Sequence, residues 1–175
     1  MPFLQACIKE TLRLYPIAVA LSLKDAPPQG DTLPDGTVIP GGTAIAQCAW
    51  RIFRNKTVFG EDADVWRPER WIELAGVAST SEGEERRAAT ERLACMDRTC
   101  ELSFGYGMYK CLGERIARTE MGKCIVEMVR RFEVQVEDVK KPIEREICYG
   151  AFMQRGLWCR VEERREQETK KELVP

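Results

Sequence analysis

The sequence predicts a mainly helical chain with small β-sheets, an α+β fold. Three observations predict it. Two long segments, Pro2–Leu14 and residues 111–131, carry apolar residues at helical spacing. Between and after them lie only short strand-like runs set off by turn residues. The chain also has 175 residues with 44% hydrophobic and 31% charged content, enough for one ordinary globular core.

Pro2–Leu14 places Leu4, Ile8 and Leu12 four residues apart, with Phe3 and Cys7 alongside, and Pro16 ends the helix. Residues 17–23 form an apolar strand-like run. Residues 31–40 read as a hairpin, because Asp35-Gly36 favours a turn with positive φ. Residues 43–50 read as a further short strand. Residues 55–73 hold Trp66, Pro68 and Trp71 in no clean period, which predicts an irregular packed meander. Residues 79–92 read as an exposed loop running into a short helix. Residues 111–131 give the strongest helical pattern, with Ala117, Met121, Cys124, Ile125, Met128 and Phe132 in one stripe. Short strands are expected at 133–136 and 157–161. The expected division is a packed unit over residues 1–162 and a charged, disordered tail over 163–175.

Bulk chemistry excludes several function classes. The net charge is −1, so nothing draws the chain to nucleic acid or anionic lipid. No apolar stretch of about 18 residues occurs, so no segment reads as a membrane anchor. The absence of histidine removes mixed Cys/His zinc sites, Ser-His-Asp triads and Cys-His proteases. Cys7, Cys48, Cys124, Cys148 and Cys159 stand among apolar residues and read as buried free thiols in a reducing compartment.

One stretch carries chemistry: Phe104-Gly105-Tyr106-Gly107-Met108-Tyr109-Lys110-Cys111-Leu112-Gly113. It sets a cysteine at the mouth of a helix, behind glycines that let backbone approach a flat ligand. A thiol so placed meets the positive end of the helix dipole and unpaired N–H groups, which favour the thiolate. Thiolate sulfur can hold haem iron and push electron density onto it. A phosphate-cradling reading of Gly105 and Gly107 fails, since a third glycine and a following Lys-Ser/Thr pair are missing.

The stretch resembles the haem-binding signature of the cytochrome P450 family: Phe, two residues, Gly, three residues, Cys, one residue, Gly. Lys9-Glu10-Thr11-Leu12-Arg13 is similar to the family's Glu-x-x-Arg helix, and Trp66-Arg67-Pro68-Glu69-Arg70-Trp71 to its Pro-Glu-Arg meander. The three motifs stand in the family's order. The resemblance implies the C-terminal, haem-ligating part of a fungal microsomal P450 fold, incomplete, with haem b as cofactor and Cys111 as axial ligand. Phe104, Gly107 and Gly113 would shape the haem loop. The family usually carries Arg two residues after Gly107, where this chain has Tyr109. The propionate contact then falls to Tyr109, Lys110 or Lys24, and either lysine could equally be a solvated surface residue. Glu10, Arg13 and Arg70 would form a buried structural triad. Ile17, Ala18, Val19, Ala20 and Leu21 would face substrate, as would a turn carrying Phe152 and Met153; all could equally be core.

The complete enzyme would insert one oxygen atom from O2 into a lipophilic substrate. Electrons would come from NADPH only through a partner NADPH-cytochrome P450 reductase, with Arg115, Arg118 and Lys123 as candidate contacts. Glu114 and Arg118 also satisfy the i, i+4 rule, so a solvated helix face accounts for them as well. The resemblance places the parent enzyme at the endoplasmic reticulum membrane, with no anchor in this chain. It leads us to expect that the chain alone is inactive; the alternative is a short non-catalytic haem-binding or interaction protein.

Overall fold

In the computed structural model, the described residues are 1–18, 23–140, 143–148 and 151–164, with side chains undescribed over 144–148 and 151–153. Helix α1 spans Pro2–Leu14, with proline in its first turn, where a missing N–H costs no helical bond. Its inward face is Ala6, Ile8, Glu10, Leu12, Arg13 and Leu14, while Phe3 stays exposed. The Arg54 guanidinium donates to the Leu14 carbonyl at 2.7 Å, satisfying one of the helix's orphan acceptors.

Four small antiparallel pairs follow along the chain. Strand β1 (Lys24–Asp25) pairs with β4 (Ala44–Ile45), and β2 (Asp31–Thr32) with β3 (Val38–Ile39). The expected hairpin turn is present, with Gly36 at φ 88°. The expected strand over 43–50 is cut to Ala44–Ile45, because its partner is only two residues long, and the chain then coils into helix α2 (Ala49–Ile52). Trp50 is therefore helical.

The expected irregular meander contains helix α3 (Lys56–Phe59), capped by the Asn55 side chain accepting from the Thr57 N–H at 2.9 Å. Helix α4 then spans Glu69–Thr80 and α5 spans Gly83–Glu101. Of the exposed loop running into a short helix expected over 79–92, the helix is present but begins earlier and runs longer, as the first half of this 19-residue helix. Ala, Glu and Arg are strong helix formers, Glu84 and Glu85 stand in the first turn and Arg98 in the last, so propensity and dipole agree. The core lies where α1, α3, α4 and α5 meet: Ala6, Phe59, Ala63, Trp71, Met96 and Cys100, with Val58, Leu74 and Leu93 against it.

Helix α6 spans Glu114–Arg131 and buries no residue. The apolar stripe is exposed at Cys124, Ile125 and Met128 and only partly covered at Ala117 and Met121. Beside α6 lies an open concavity of about 610 Å³, lined by Met1, Leu4 and Gln5 of α1 and by Arg118, Gly122 and Val126 of α6. Strand β5 (Phe132–Val136) pairs with β8 (Cys159–Glu163) over five residues. Glu163, expected to open the tail, is thus the last residue of a strand. The hairpin of β6 (Glu144–Cys148) and β7 (Ala151–Arg155) was not expected from the sequence, and it places Phe152 and Met153 in a strand rather than a turn. The expected tail beyond Arg164 lies outside the described residues.

Cysteine burial also differs from expectation. Cys48, Cys124 and Cys159 are exposed and Cys7 is half-buried, while Cys100 is the buried thiol. The Cys148 side chain is outside the described part.

Candidate haem-ligating loop

Helix α5 ends in the 3-10 turn Leu102–Phe104, and a second 3-10 turn, Gly107–Tyr109, precedes Cys111. Gly105 has φ 76° and ψ −177°, a conformation essentially reserved for glycine, and a Cβ there would stand 2.6 Å from the Tyr109 carbonyl oxygen. The Tyr109 N–H donates to the Tyr106 carbonyl at 3.2 Å and the Lys110 N–H to the Gly107 carbonyl at 3.1 Å. The Cys111 N–H donates back to the Phe104 carbonyl at 2.7 Å, closing the loop. The helix expected from residue 111 starts at Glu114, with Gly113 as its N-cap.

The loop offers ligand-facing surface. Cys111 is exposed, Met108 is 89% and Leu112 99% exposed, and Tyr106 and Tyr109 are exposed beside them. Gly107, at φ 59°, has open space where a Cβ would project. A flat apolar group could approach the backbone at Gly107 without meeting a side chain of that residue. Among the described residues no three His, Cys, Asp or Glu side chains gather as a metal-ligand set. A thiolate on a glycine-shaped apolar loop fits a prosthetic group that brings its own equatorial ligands.

The basic residues near the loop are already engaged. The Lys24 ammonium sits 3.9 Å from the Tyr109 ring centroid, a cation–π contact that joins β1 to the loop. The Lys110 Nζ lies 3.1 Å from Glu114 Oε2, and the Arg118 Nε donates to Glu114 Oε1 at 2.9 Å. The Arg118 guanidinium also stands 4.9 Å from the Phe104 ring centroid. Phe104 thus meets the cysteine through its carbonyl and Arg118 through its ring. Burial alone would raise the Glu114 carboxyl, but the bonds from Lys110 and Arg118 outweigh it and hold the group below its ordinary range.

The structure brings Glu10, Arg13 and Arg70 together. Arg13 donates to both Glu10 oxygens, from Nε at 3.1 Å and from Nη2 at 2.8 Å, and Arg70 Nε donates to Oε1 at 3.0 Å. Arg13 and Arg70 also bond the carbonyls of Phe53, Phe59, Asp62, Ala63 and Val65, stitching the meander to α1. Two partners of Glu10 were not foreseen: the Arg67 N–H at 3.0 Å and the Trp71 indole N–H at 2.9 Å. The cue for Trp71 was an indole at the motif's final position, since a buried indole N–H needs an acceptor. Burial would raise the Glu10 carboxyl, yet Arg13, the Arg67 N–H and Trp71 together push it below its ordinary range.

Of the expected substrate-facing residues, Ile17 and Ala18 are exposed. Val19, Ala20 and Leu21 lie outside the described residues, as do the side chains of Phe152 and Met153.

Residues 1–155 match the model of the cytochrome P450 family. The chain belongs to the cytochrome P450 family. It is 36% identical over 163 residues to cytochrome P450 monooxygenase aba1 of Botryotinia fuckeliana, covering 93% of this chain and 29% of the relative. It is 37% identical to cytochrome P450 monooxygenase ABA1 of Pyricularia oryzae, covering 94% and 29%. Pisatin demethylase of Fusarium vanettenii is 35% identical over 136 residues, 78% of this chain and 23% of that protein. The chain thus spans less than a third of the length of these relatives. The crystallised heme domain of cytochrome P450DA superposes with a TM-score of 0.67 at 20% identity, covering 94% of this chain and 31% of that one. The fold is accordingly part of the cytochrome P450 fold, and the family is one of oxidoreductases that use haem held by a thiolate, with O2, a redox partner and lipophilic substrates. Among the described residues no helix is long and apolar enough to cross a membrane.

Proposed function

We propose that this chain is the haem-ligating part of a monooxygenase that inserts one oxygen atom of O2 into an apolar organic substrate. Residues 1–162 are the working unit of this reading. The observation that carries it is Cys111, exposed on a loop closed by its own N–H on the Phe104 carbonyl and shaped by Gly105. Bound haem would supply the iron for O2 activation, a chemistry that consumes two electrons and two protons as one oxygen atom enters substrate and the other leaves as water.

The chain's residues do the holding. Cys111 would hold the haem iron through its sulfur, and Phe104 fixes its backbone. Gly107 and Gly113 put no side chain at their own positions on either side of Cys111. Lys24, resting on the Tyr109 ring, carries the charge that meets a propionate, and the Tyr109 hydroxyl adds a neutral donor. Lys110, already on Glu114, is the weaker partner for that role. Glu10, Arg13 and Arg70 hold the meander and touch no reactant. The apolar residues Ile17, Ala18, Val19, Ala20 and Leu21, with Phe152 and Met153, define a lipophilic substrate side. Arg115 and Lys123, exposed on α6, suit docking of an NADPH-cytochrome P450 reductase at the endoplasmic reticulum membrane.

Haem reconstitution followed by reduction under CO tests this reading. The wild-type chain should give the red-shifted Soret band of thiolate ligation, Cys111→Ala should abolish it, and Cys95→Ala should keep it. A red-shifted band that persists in Cys111→Ala overturns the assignment.

A further inference from the structure

Cys111 is bracketed by a set of contacts that no motif specifies. Glu114, the first residue of α6, has a side chain only 14% exposed and uses both carboxylate oxygens on different cations. Oε2 takes Lys110, the residue before the cysteine, and Oε1 takes Arg118, one turn further along the helix. Arg118 in turn lies against the ring of Phe104, whose carbonyl accepts the Cys111 N–H. The path Lys110–Glu114–Arg118–Phe104–Cys111 is therefore closed, with the cysteine between its two ends. Glu114 and Arg118 also line a cavity of about 220 Å³ with Lys9, Leu12, Asp97 and Cys100, so the bracket abuts helix α1.

We propose that Glu114 is a positioning residue for the Cys111 thiolate, its two carboxylate oxygens clamping Lys110 and Arg118 so that the loop keeps the Cys111 N–H on the Phe104 carbonyl. The proposal rests on the reading of Cys111 as the haem ligand. A single carboxylate reaching both sides of the loop ties the chain before the cysteine to the helix after it. It also neutralises two cations that would otherwise repel one another beside the sulfur. Neither lysine nor arginine can do this, since both oxygens of one acidic group are needed. Aspartate, one methylene shorter, reaches one partner at a time.

Two measurements on the full chain test the proposal and separate it from the reading beneath it. Hydrogen exchange of the haem-free chain reads the clamp directly, because the Cys111 amide is held by Phe104. Glu114→Gln keeps shape and removes charge, and should speed Cys111 amide exchange about fivefold to tenfold, as loss of two part-exposed ion pairs allows. Arg118→Met should do the same, and Glu114→Asp should fall between. Amides in the middle of α6 should keep their wild-type rates, which shows that the helix remains folded. Unchanged Cys111 exchange in Glu114→Gln with α6 intact overturns the proposal, and so does a uniform rise across α6, which would make Glu114 a helix-stabilising residue only.

The second measurement uses the haem–CO complex. Glu114→Gln should bind haem but convert the red-shifted Soret form to the unshifted one several-fold faster than wild type. Equal conversion rates overturn the positioning role. An unshifted band already in the wild-type chain overturns the ligand reading instead, whatever the exchange data show.

Discussion

The pocket around Glu10 and the loop around Cys111 both place a charged or ionisable side chain under tight backbone control, and they do so by opposite means. Glu10 and Arg13 are fully buried, and Glu10 accepts from Arg13, Arg70, Trp71 and the Arg67 amide. Among the described residues no buried polar side-chain atom lacks a partner. Cys111 is exposed, and what fixes it is backbone: a positive-φ glycine, two 3-10 turns and one N–H on Phe104. Burial makes the first region costly to disturb and chemically quiet. Exposure makes the second available to a ligand, with stability carried by glycine conformation and half-exposed ion pairs.

The comparison breaks most visibly at Arg13. Arg13→Ala or Glu10→Ala leaves a buried charge unpaired and should cost on the order of 3–5 kcal/mol, whereas Leu112→Ala, at a fully exposed position, should stay within about 0.5 kcal/mol. Thermal melts of the three variants check this. Equal melting temperatures would remove the distinction between the regions.

Trp71→Phe sharpens it. The ring that meets Phe59 at 6.4 Å is largely kept, while the indole donor to Glu10 is lost. A hydrogen bond to a charged group is worth about 1.5–3 kcal/mol, so denaturant titration should show a loss in that range.

The loop has its own sensitive point. Gly105→Ala places a Cβ against the Tyr109 carbonyl in a glycine-only conformation and should cost towards the upper end of ~1–3 kcal/mol. Gly107→Ala, at φ 59° with open space, should cost only about 1 kcal/mol. Titration melts of the pair would show whether close approach or φ alone governs the loop.

Acid should act on the buried region. The folded Glu10 carboxyl lies below its ordinary range, so its stabilisation is complete above that range and is lost as pH falls through the depressed folded value. Asp62, lowered first by the Arg70 bond and then by Arg67, adds in the same direction. Melting temperature should therefore fall steeply on the acid side in wild type and less steeply in Glu10→Gln.

Thiol labelling gives the smallest perturbation. Burial pushes the Cys100 thiol up to about 12, so a neutral alkylating reagent at neutral pH should modify it only after unfolding. The exposed Cys111, Cys48, Cys124 and Cys159 should be modified in the native chain. Peptide mapping of the labelled protein reads both classes.

By itself the sequence determined what short-range chemistry can encode. The α1 helix, the Gly36 turn, the i, i+3 spacing of Glu10 and Arg13, and the glycines around Cys111 are local patterns, and each could be named from residues close together in the chain. Tertiary structure decided the rest. Trp71 reaches Glu10 from 61 positions away, and Cys100 rather than Cys48 or Cys124 is buried because α5 packs against α1 and α4. The short helix expected in the charged run extends over 83–101 because its Ala89, Met96 and Cys100 find a core to face. The stripe of α6 stays uncovered, since periodicity says which residues share a face and not what lies opposite it. The same limit hid the role of Glu114: its ion pair with Arg118 was plain at i, i+4. Only the fold of the loop set Phe104 against Arg118 and returned the Cys111 amide to the Phe104 carbonyl.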